Sequence, residues 1–286
     1  MAERSAIEWC DSTFNPWIGC TRVSPACDDC YAARSTPART LGIEWGPHAE
    51  RRRTAPATWK QPEAWERQHA AFFAQHGRRR RVFCASLADV FDNAVPVEWR
   101  LDLFKLIAAT PHLDWLLLTK RIGNVAGMLG DHPTVPLLPN IWLGITVVNQ
   151  AEADRDIPKL LAVPARVRFL SIEPMLGPID LRQAHAAPVR LPRVDWVICG
   201  GESGPHARPM HPDWARSLRD QCAAASVPFL FKQWGQWLPA GQDGAPHREE
   251  QEINASDVPQ RVGKAAAGRL LDGRTYDAFP EATAHA

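Results

Sequence analysis

The sequence predicts an α/β protein in which strands and helices alternate, a (β/α) barrel of the TIM-like or partial type. Seven short apolar runs rich in β-forming residues recur along the 286 residues, and stretches with helical spacing separate them. Polar residues stand at the C-terminal end of nearly every run. An open doubly wound sheet fits the same order of elements, but a barrel brings those polar ends to one mouth, which favours the barrel.

The strands are predicted in chain order at "AIEW" near residue 6, "RVFCAS" from 81, "DWLLLTK" from 114, "NIWLGITV" from 140, "RVRFLSIEP" from 166, "VDWVICGGES" from 194 and "VPFLFKQW" from 227. Most are apolar nearly throughout, as in strands covered on both faces. Helices are predicted at 96–110, 149–163 and 211–226, the last with Pro212 just inside its start. We therefore expect a barrel over residues 1–238, with a cysteine-rich loop at 19–32.

The C-terminal part has a different composition. Residues 239 to about 260 are polar and rich in turn formers, which predicts a loop or flexible insertion. The segment "RVGKAAAGRLLDGRTYDAFP" follows and predicts a short helix with a glycine stop. Because about 20 residues cannot carry a core of their own, we expect 239–286 to be an appendage packed on the barrel.

Composition excludes several classes of protein. Hydrophobic residues make up 45% and charged residues 23%, and no apolar run approaches the roughly 20 residues of a membrane-spanning helix. The first residues contain no apolar segment of a secretory signal, so we expect a cytoplasmic protein without a membrane partner. A net charge of +1 gives no general case for nucleic acid. The runs "RRR" at 51–53 and "RRRR" at 78–81 are either solvated faces or phosphate-binding patches.

Three of the seven cysteines are clustered in "GCTRVSPACDDCYA", at Cys20, Cys27 and Cys30. Without an export signal, reduced thiols or metal ligands are favoured over disulfides. A closed zinc site usually takes four ligands, and Cys10 and His48 stand at no familiar spacing for the fourth. A 4Fe–4S cluster held by three thiolates has one iron open to another ligand. Both kinds of site remain open on these residues alone.

The cysteine loop resembles that of the radical S-adenosylmethionine enzymes, in which the methionine moiety chelates the open iron. Their commonest pattern has three residues between the first two cysteines and an aromatic residue before the third, whereas here Asp29 precedes Cys30 and Tyr31 follows it. The wider sequence resembles a phage- and bacterium-borne family of uncharacterised three-cysteine proteins that is regarded as radical-SAM-like. The phrases that carry this resemblance are "IEWCDSTFNPWIGCTRVSPACDDCYA", "LLLTKR", "WLGITV", "FLSIEPMLGPI", "WVICGGESG", "FKQWGQW" and "GKAAAGRLLDGR".

The resemblance implies two cofactors, a 4Fe–4S cluster on Cys20, Cys27 and Cys30, and S-adenosylmethionine. We expect Ser86 and Asp89 near the methionine moiety. The other predicted contacts to adenosine or substrate follow later strands: Thr119, Thr146, Glu173, and the "GGE" phrase of Gly200, Gly201 and Glu202. Lys120 and Glu202 are the predicted catalytic residues.

Two further sets of residues have alternative interpretations. Arg121 and Lys232 either neutralise a carboxylate or phosphate of a ligand or form surface ion pairs. The tryptophans near strand ends are either stacking platforms for bases or core side chains: Trp17, Trp142, Trp196, Trp234 and Trp237.

The predicted activity is that of a radical S-adenosylmethionine enzyme. One-electron reduction of the cluster would cleave the cofactor to a deoxyadenosyl radical, which abstracts hydrogen from the substrate. A nucleic-acid base or lesion is the leading substrate, and an electron donor such as flavodoxin or ferredoxin is an expected partner. One alternative is a non-catalytic nucleic-acid-binding protein stabilised by zinc or an iron–sulfur cluster. The other is a barrel-type metal-dependent hydrolase, although none of the strands contains a His-x-His pair.

Overall fold

The computed structural model describes residues 3–130, 138–182, 194–242 and 258–281. Its strands are β1 (Ser12–Phe14), β2 (Trp17–Ile18), β3 (Arg52–Arg53), β4 (Arg80–Cys84), β5 (Leu113–Thr119), β6 (Ile141–Thr146), β7 (Val167–Ile172), β8 (Trp196–Gly200), β9 (Phe229–Gln233), β10 (Trp237–Leu238) and β11 (Gln260–Arg261). Its α-helices are α1 (Thr36–Thr40), α2 (Pro56–Trp59), α3 (Gln61–Arg67), α4 (His69–His76), α5 (Val97–Ala109), α6 (Ile122–Gly130), α7 (Gln150–Ala162), α8 (Pro212–Ala224) and α9 (Lys264–Ala267).

Seven strands form the main sheet in the order β1-β4-β5-β6-β7-β8-β9. The strands are parallel and helices alternate with them along the chain, so the predicted α/β class of the partial (β/α) barrel type is confirmed. Antiparallel pairs lie outside this sheet, β2 with β3 and β10 with β11. Among the described residues, no helix is both long and apolar enough to cross a membrane.

The chain divides into two compact units. The first contains Met1–Ile145 and Lys159–Arg168, and the second contains Thr146–Pro158 and Phe169–Glu281. Large side chains without solvent exposure, such as Trp115 and Leu103, form the core of the first unit. Phe169 and Trp196 do so in the second. Each unit therefore has a hydrophobic core of its own.

The predicted elements follow the apolar pattern closely. Six of the seven predicted strands are present as β4 to β9, and the three predicted helices are present as α5, α7 and α8. Helix α5 buries Leu103, Phe104 and Ile107 on one face, and α8 begins with Pro at its first turn after His211, whose ring accepts a hydrogen bond from the Asp213 N–H.

The first predicted strand is wrong. Residues 5–10 form turns instead: the Ile7 N–H donates to the Ser5 Oγ at 3.0 Å, and the Cys10 N–H donates to the Ile7 carbonyl at 3.2 Å. Trp9 packs on Phe83 with 4.4 Å between ring centroids. This apolar side chain of "AIEW" is therefore buried by packing, although the segment has no strand hydrogen bonds. The first strand of the sheet is β1, which pairs in parallel with β4.

The C-terminal segment 258–281 packs on strands of the second unit. The Phe231 N–H donates to the Tyr276 carbonyl at 2.9 Å, and the indole N–H groups of Trp196 and Trp234 donate to the carbonyls of Ala278 and Leu270. Helix α9 ends at Gly268, the predicted glycine stop. Most of the predicted loop at 239–260 lies outside the described residues.

Candidate cofactor site

The cysteine loop begins directly after β2. Gly19 has a positive φ of 110°, which permits the turn that places Cys20 next. A 3₁₀ turn over Pro25–Cys27 follows, and the Ser24 Oγ caps it by accepting the Ala26 N–H. The Cys30 N–H donates to the Cys27 carbonyl at 3.4 Å. The loop is thus ordered by its own hydrogen bonds, with three free thiols in it.

The spacing of the three thiols differs from that of a single bound ion. Among the described residues, ligand atoms within 4.8 Å of one another occur in a different group, and Cys20, Cys27 and Cys30 do not form such a group. Thiolates on one zinc ion, with bonds of about 2.3 Å, lie roughly 4 Å apart. A cubane cluster attaches each thiolate to a different iron, which requires a wider spacing. The three thiols therefore do not form a ready-made site for a single ion, and their predicted role as cluster ligands stays a prediction.

A guanidinium group lies against the first of these thiols. Arg121 Nη1 is 3.4 Å from Cys20 Sγ and 3.1 Å from Asp89 Oδ2, while its Nη2 donates to the Thr21 carbonyl at 2.7 Å. Burial raises the pKa of Cys20 to about 11, Asp89 adds to the rise, and Arg121 opposes it. A metal ion bound to Cys20 would have to displace this proton, and Arg121 lies where it would balance the negative charge of the resulting thiolate.

Asp89 is the centre of the hydrogen bonds around Arg121. Its Oδ1 accepts from Thr119 Oγ1 at 2.8 Å and from the Phe91 N–H at 2.9 Å. Its Oδ2 accepts from the Lys120 N–H at 3.1 Å and from Arg121. Both oxygens of this buried carboxylate are engaged, so Asp89 fixes the end of β5 and orients Arg121. Its predicted contact with the methionine moiety stays a prediction.

Ser86 lies beside the cysteine loop, and its predicted contact near the methionine moiety stays a prediction. Tyr31 directly follows Cys30, and its hydroxyl donates to the Ser86 carbonyl at 3.0 Å. Asn15 holds the same segment, because its Nδ2 donates to Ser86 Oγ at 3.0 Å and its Oδ1 accepts the Leu87 N–H at 2.7 Å. Asn15 was missed by the sequence analysis, although it lies within one of the phrases that carry the resemblance.

A buried ion pair that the sequence did not reveal lies next to this group. The side chain of Arg51 is fully buried and its Nε donates to Asp92 Oδ2 at 2.8 Å. Its Nη2 donates to Thr21 Oγ1 at 2.6 Å. Arg121 Nη2 lies 3.9 Å from the same Asp92 oxygen, so two arginines and two aspartates share one network. No sequence signal separates Arg51 from the other arginines of its run.

The arginine runs are largely used inside the first unit. Arg53 pairs with Asp102 at 2.8 Å and stacks over Trp59, and Arg78 donates to both oxygens of Asp11 at 2.6 and 2.8 Å. Arg51 and Arg81 are buried. These four arginines are therefore used within the protein, whereas Arg52 of the first run is exposed.

In the second unit a lysine and a carboxylate are paired at strand ends. Lys232 Nζ lies 2.6 Å from Glu173 Oε1. The two side chains form an ion pair that is mostly buried. Gln233 Nε2 donates to the same Glu173 oxygen at 3.2 Å and to the Gly201 carbonyl at 3.0 Å. The Gln233 Oε1 is buried and has no hydrogen-bond partner among the described residues. Gln233 was not predicted as a site residue.

The glycines of the "GGE" phrase are required by packing. A Cβ on Gly201 would lie 1.9 Å from the Trp234 carbonyl oxygen, and a Cβ on Gly235 would lie 2.0 Å from the Glu202 carbonyl oxygen. A Cβ on Gly200 would contact the Glu173 side chain at 3.3 Å. The close approach that Gly201 permits is therefore to another stretch of backbone, and the predicted ligand contacts of Gly200 and Gly201 stay predictions.

Glu202 is buried and paired with an arginine. Arg208 Nη2 lies 2.6 Å from Glu202 Oε1, and Arg208 donates to Glu202 Oε2 from both Nε and its backbone N–H at 2.8 Å. This is an internal ion pair at a strand end, and Arg208 was missed by the sequence analysis. Thr146, at the end of β6, is also buried.

The predicted site residues thus fall into two groups. Contacts within the first unit bring together the cysteine loop, Ser86, Asp89, Thr119 and Lys120, and contacts within the second bring together Glu173, Gly200, Gly201 and Glu202. The tryptophans belong to the core: Trp17, Trp142, Trp196 and Trp234 are at most 2% exposed. Trp237 is half-buried and donates to the Ala207 carbonyl. Of the two interpretations, core packing is therefore the one that holds for the four buried tryptophans.

Comparisons with known proteins give a family and two similar folds. A family model described as "Protein of unknown function (DUF5131)" matches residues 4–280. No curated protein matches the sequence at a significant level. One similar structure is a spore photoproduct lyase variant with bound AdoMet and dinucleoside spore photoproduct. Its sequence is 12% identical to this chain, the alignment covers 73% of this chain and 60% of the lyase chain, and the TM-score is 0.42. A second variant of that lyase is 10% identical to this chain. The alignment covers 78% of this chain and 64% of the lyase chain, with a TM-score of 0.44. The chain spans less than two thirds of the length of either structure.

Proposed function

We propose that this chain, which belongs to the DUF5131 family of unknown function, is an enzyme. It would hold a 4Fe–4S cluster on Cys20, Cys27 and Cys30 and use the cluster to cleave S-adenosylmethionine. The observation that carries the proposal is the ordered loop with three free thiols, with the Arg121 guanidinium 3.4 Å from Cys20 Sγ. A reduced 4Fe–4S cluster supplies the single electron that reductive cleavage of the cofactor requires.

The surroundings of the thiols fit an iron–sulfur group. Cys30 and Trp45 pack on the same apolar cluster of Ile18, Ala32 and Leu87. The Trp45 indole N–H is buried and has no partner among the described residues, so it is an available donor close to this cluster. The apolar cluster beside Cys30 would lower the local dielectric, and the guanidinium beside Cys20 would balance the charge of a negative group.

The network behind Arg121 has a positioning role in this proposal. Asp89 and Asp92 hold the guanidinium from one side, and Arg51 neutralises Asp92 from the other. The side chain of Arg121 thereby stays directed at Cys20 whether or not the thiol is ionised. Preorganised charge of this kind requires no rearrangement when the charge on sulfur changes.

In the second unit we propose Glu173, Lys232 and Gln233 as contacts to the cofactor or substrate. The supporting observation is the buried Gln233 Oε1. The Gln233 amide donates to the Glu173 carboxylate and to a carbonyl, which fixes its orientation and leaves the oxygen as an acceptor. A hydroxyl or amino group of a ligand would satisfy it. Glu202 remains a predicted catalytic residue, and its ion pair with Arg208 would fix the position of its carboxylate.

A nucleic-acid base remains the proposed substrate class, on the strength of the family resemblance. Arg51, Arg53, Arg78 and Arg81 do not contribute to it, because their side chains are engaged within the protein. Lys120 remains a predicted catalytic residue, and a flavodoxin- or ferredoxin-type electron donor remains a predicted partner.

Reductive cleavage tests the proposed function. The chain is reconstituted anaerobically with iron and sulfide, S-adenosylmethionine and dithionite are added, and 5′-deoxyadenosine is quantified. We expect product from the wild-type chain and from Cys10→Ala, and none from Cys30→Ala. Cys10 is a matched control because it is a buried cysteine outside the loop. Product formation that is equal in all three proteins, or absent from a chain that has taken up iron and sulfide, would contradict the proposal.

A further inference from the structure

Helix α4 (His69–His76) lies on the surface of the first unit without burying a side chain. None of its eight residues is buried, although five of them are alanine or phenylalanine. Phe72 packs against Arg80, whose guanidinium carbon lies 4.5 Å from the ring centroid, whereas Phe73 is 54% exposed. A surface helix ordinarily directs its apolar residues toward the core. Packing within the described part of the chain therefore leaves the exposure of Phe73 unexplained.

The segment that contains α4 concentrates positive charge. Residues 56–81 contain six Lys or Arg residues against two Glu, a surplus of four positive charges, whereas the complete chain carries +1. One of the two carboxylates, Glu66, is held by His112, with 2.5 Å between Oε1 and Nδ1. Lys60 before α3 and Arg67 at its end are both exposed. The positive charge that is nearly cancelled over the whole chain is therefore present at this corner.

Carboxylates from neighbouring elements cancel only part of this surplus. Asp11, directly before β1, accepts from both Nη atoms of Arg78 at 2.6 and 2.8 Å. Asp114 of β5 is 3% exposed and lies 3.5 Å from Arg166, a cation outside the segment. A surface that keeps several positive charges attracts a polyanion.

We propose that this corner binds single-stranded nucleic acid. Phe73 would stack on a base, and the cations near it would pair with phosphates: Lys60, Arg67 and Arg79. Arg79 Nη1 donates to the Pro111 carbonyl at 3.2 Å, and a neutral acceptor leaves the guanidinium charged. Single strands are bound by cations that follow the backbone and by aromatic side chains on which bases stack. An acidic protein would match the charge alone, whereas a nucleic acid also accounts for the exposed ring.

The bound strand would carry the base that the cysteine loop acts on, and this link rests on the proposed function. The surface itself does not depend on it, because charge and exposure of the segment 56–81 are independent of any cluster.

Fluorescence anisotropy with a labelled oligothymidylate of about 12 nucleotides tests this surface. The proteins compared are the reconstituted wild-type chain, Phe73→Ala, Arg67→Gln and the control Arg182→Gln, an exposed arginine of the second unit. Thermal unfolding checks that these surface substitutions leave the fold intact. We expect Phe73→Ala to bind about five-fold or more weakly, because one stacked base is lost. Arg67→Gln should bind more weakly and reduce the slope of log K against log salt by roughly 0.7, because one phosphate contact is lost. Arg182→Gln should bind as the wild type does.

No S-adenosylmethionine is added, so a chain that forms no 5′-deoxyadenosine would give the same binding result. Absence of salt-dependent binding by the wild-type chain would overturn the proposal in favour of an acidic protein partner. An equal loss of affinity in Arg67→Gln and Arg182→Gln would also overturn it, because it would indicate attraction by net charge alone. Wild-type affinity in Phe73→Ala would remove α4 from the interface and would overturn it as well.

Discussion

At the scale of single residues, the molecule depends on buried charges that are paired within one network. Cys20, Asp89 and Arg121 are in contact, and Arg51 and Asp92 extend the group. The cysteines could be predicted from their spacing because three thiols in one short segment are chemically unusual. The burial of Arg51 could not, because its neighbours in the run have the same charge and its partners Thr21 and Asp92 lie far away in the sequence.

Replacing Arg121 by Gln should lower the free energy of unfolding by about 3 kcal/mol, because Asp89 then keeps a buried charge without its cation. The matched control is Arg182→Gln, which breaks an Arg–Asp pair whose arginine side chain is 75% exposed and should leave the free energy of unfolding close to that of wild type. Urea denaturation of both variants measures the difference. Equal effects would mean that the buried network contributes no more than a surface pair.

At the scale of elements, strands were predictable where the chain is apolar throughout and the element is long enough. Strand β6 comes closest to both conditions, because all six of its residues are buried and only Thr146 at its end is polar. The strand predicted at "AIEW" was wrong, because a run of four residues is too short: its apolar side chains can be buried equally well from a turn. Helices α2 to α4 were missed, since they are short and bury few side chains. The reason for Gly201 could not be predicted either, because the Trp234 carbonyl approaches it from another strand's end.

Gly201→Ala should lower the free energy of unfolding by about 3 kcal/mol or more, because a Cβ 1.9 Å from the Trp234 carbonyl oxygen forces the backbone apart. Gly127→Ala is the control: it lies in α6 with nothing within 4 Å of an added Cβ, and should stabilise by up to about 1 kcal/mol. Thermal unfolding of the two variants provides the test. A Gly201 variant with wild-type stability would show that the two backbone segments are not in close contact.

At the scale of the whole molecule, each unit has its own core and its own group of site residues. The second unit also carries the C-terminal segment, which is held by an ion-pair cluster. Asp272 pairs with Arg216 and Arg219 of α8 at 2.7 and 2.8 Å and accepts from Gln242. The hydrogen bond from Arg216 holds the pKa of Asp272 well below its ordinary value of 3.8.

Asp272→Asn should make the chain less stable than wild type by about 1 kcal/mol near neutral pH, given the partial exposure of these pairs. The folded state lowers the pKa of this carboxyl, so its stabilising effect is present above the ordinary value and is lost as the pH falls below about 4. The gap between wild type and variant should therefore narrow in acid. Urea denaturation at pH 7, 5 and 3 measures it, and a gap that is constant with pH would refute the attribution to this carboxylate.

The central claim is that Cys20, Cys27 and Cys30 hold an iron–sulfur cluster, and the metal content of the chain tests it most directly. Iron, zinc and acid-labile sulfide are measured after anaerobic purification and reconstitution of the wild-type chain and of Cys27→Ala. We expect about four irons and four sulfides per chain in the wild type, and a loss of both from the variant, since two thiolates hold the cluster poorly. A colourless wild-type chain that contains zinc and no sulfide would contradict the claim.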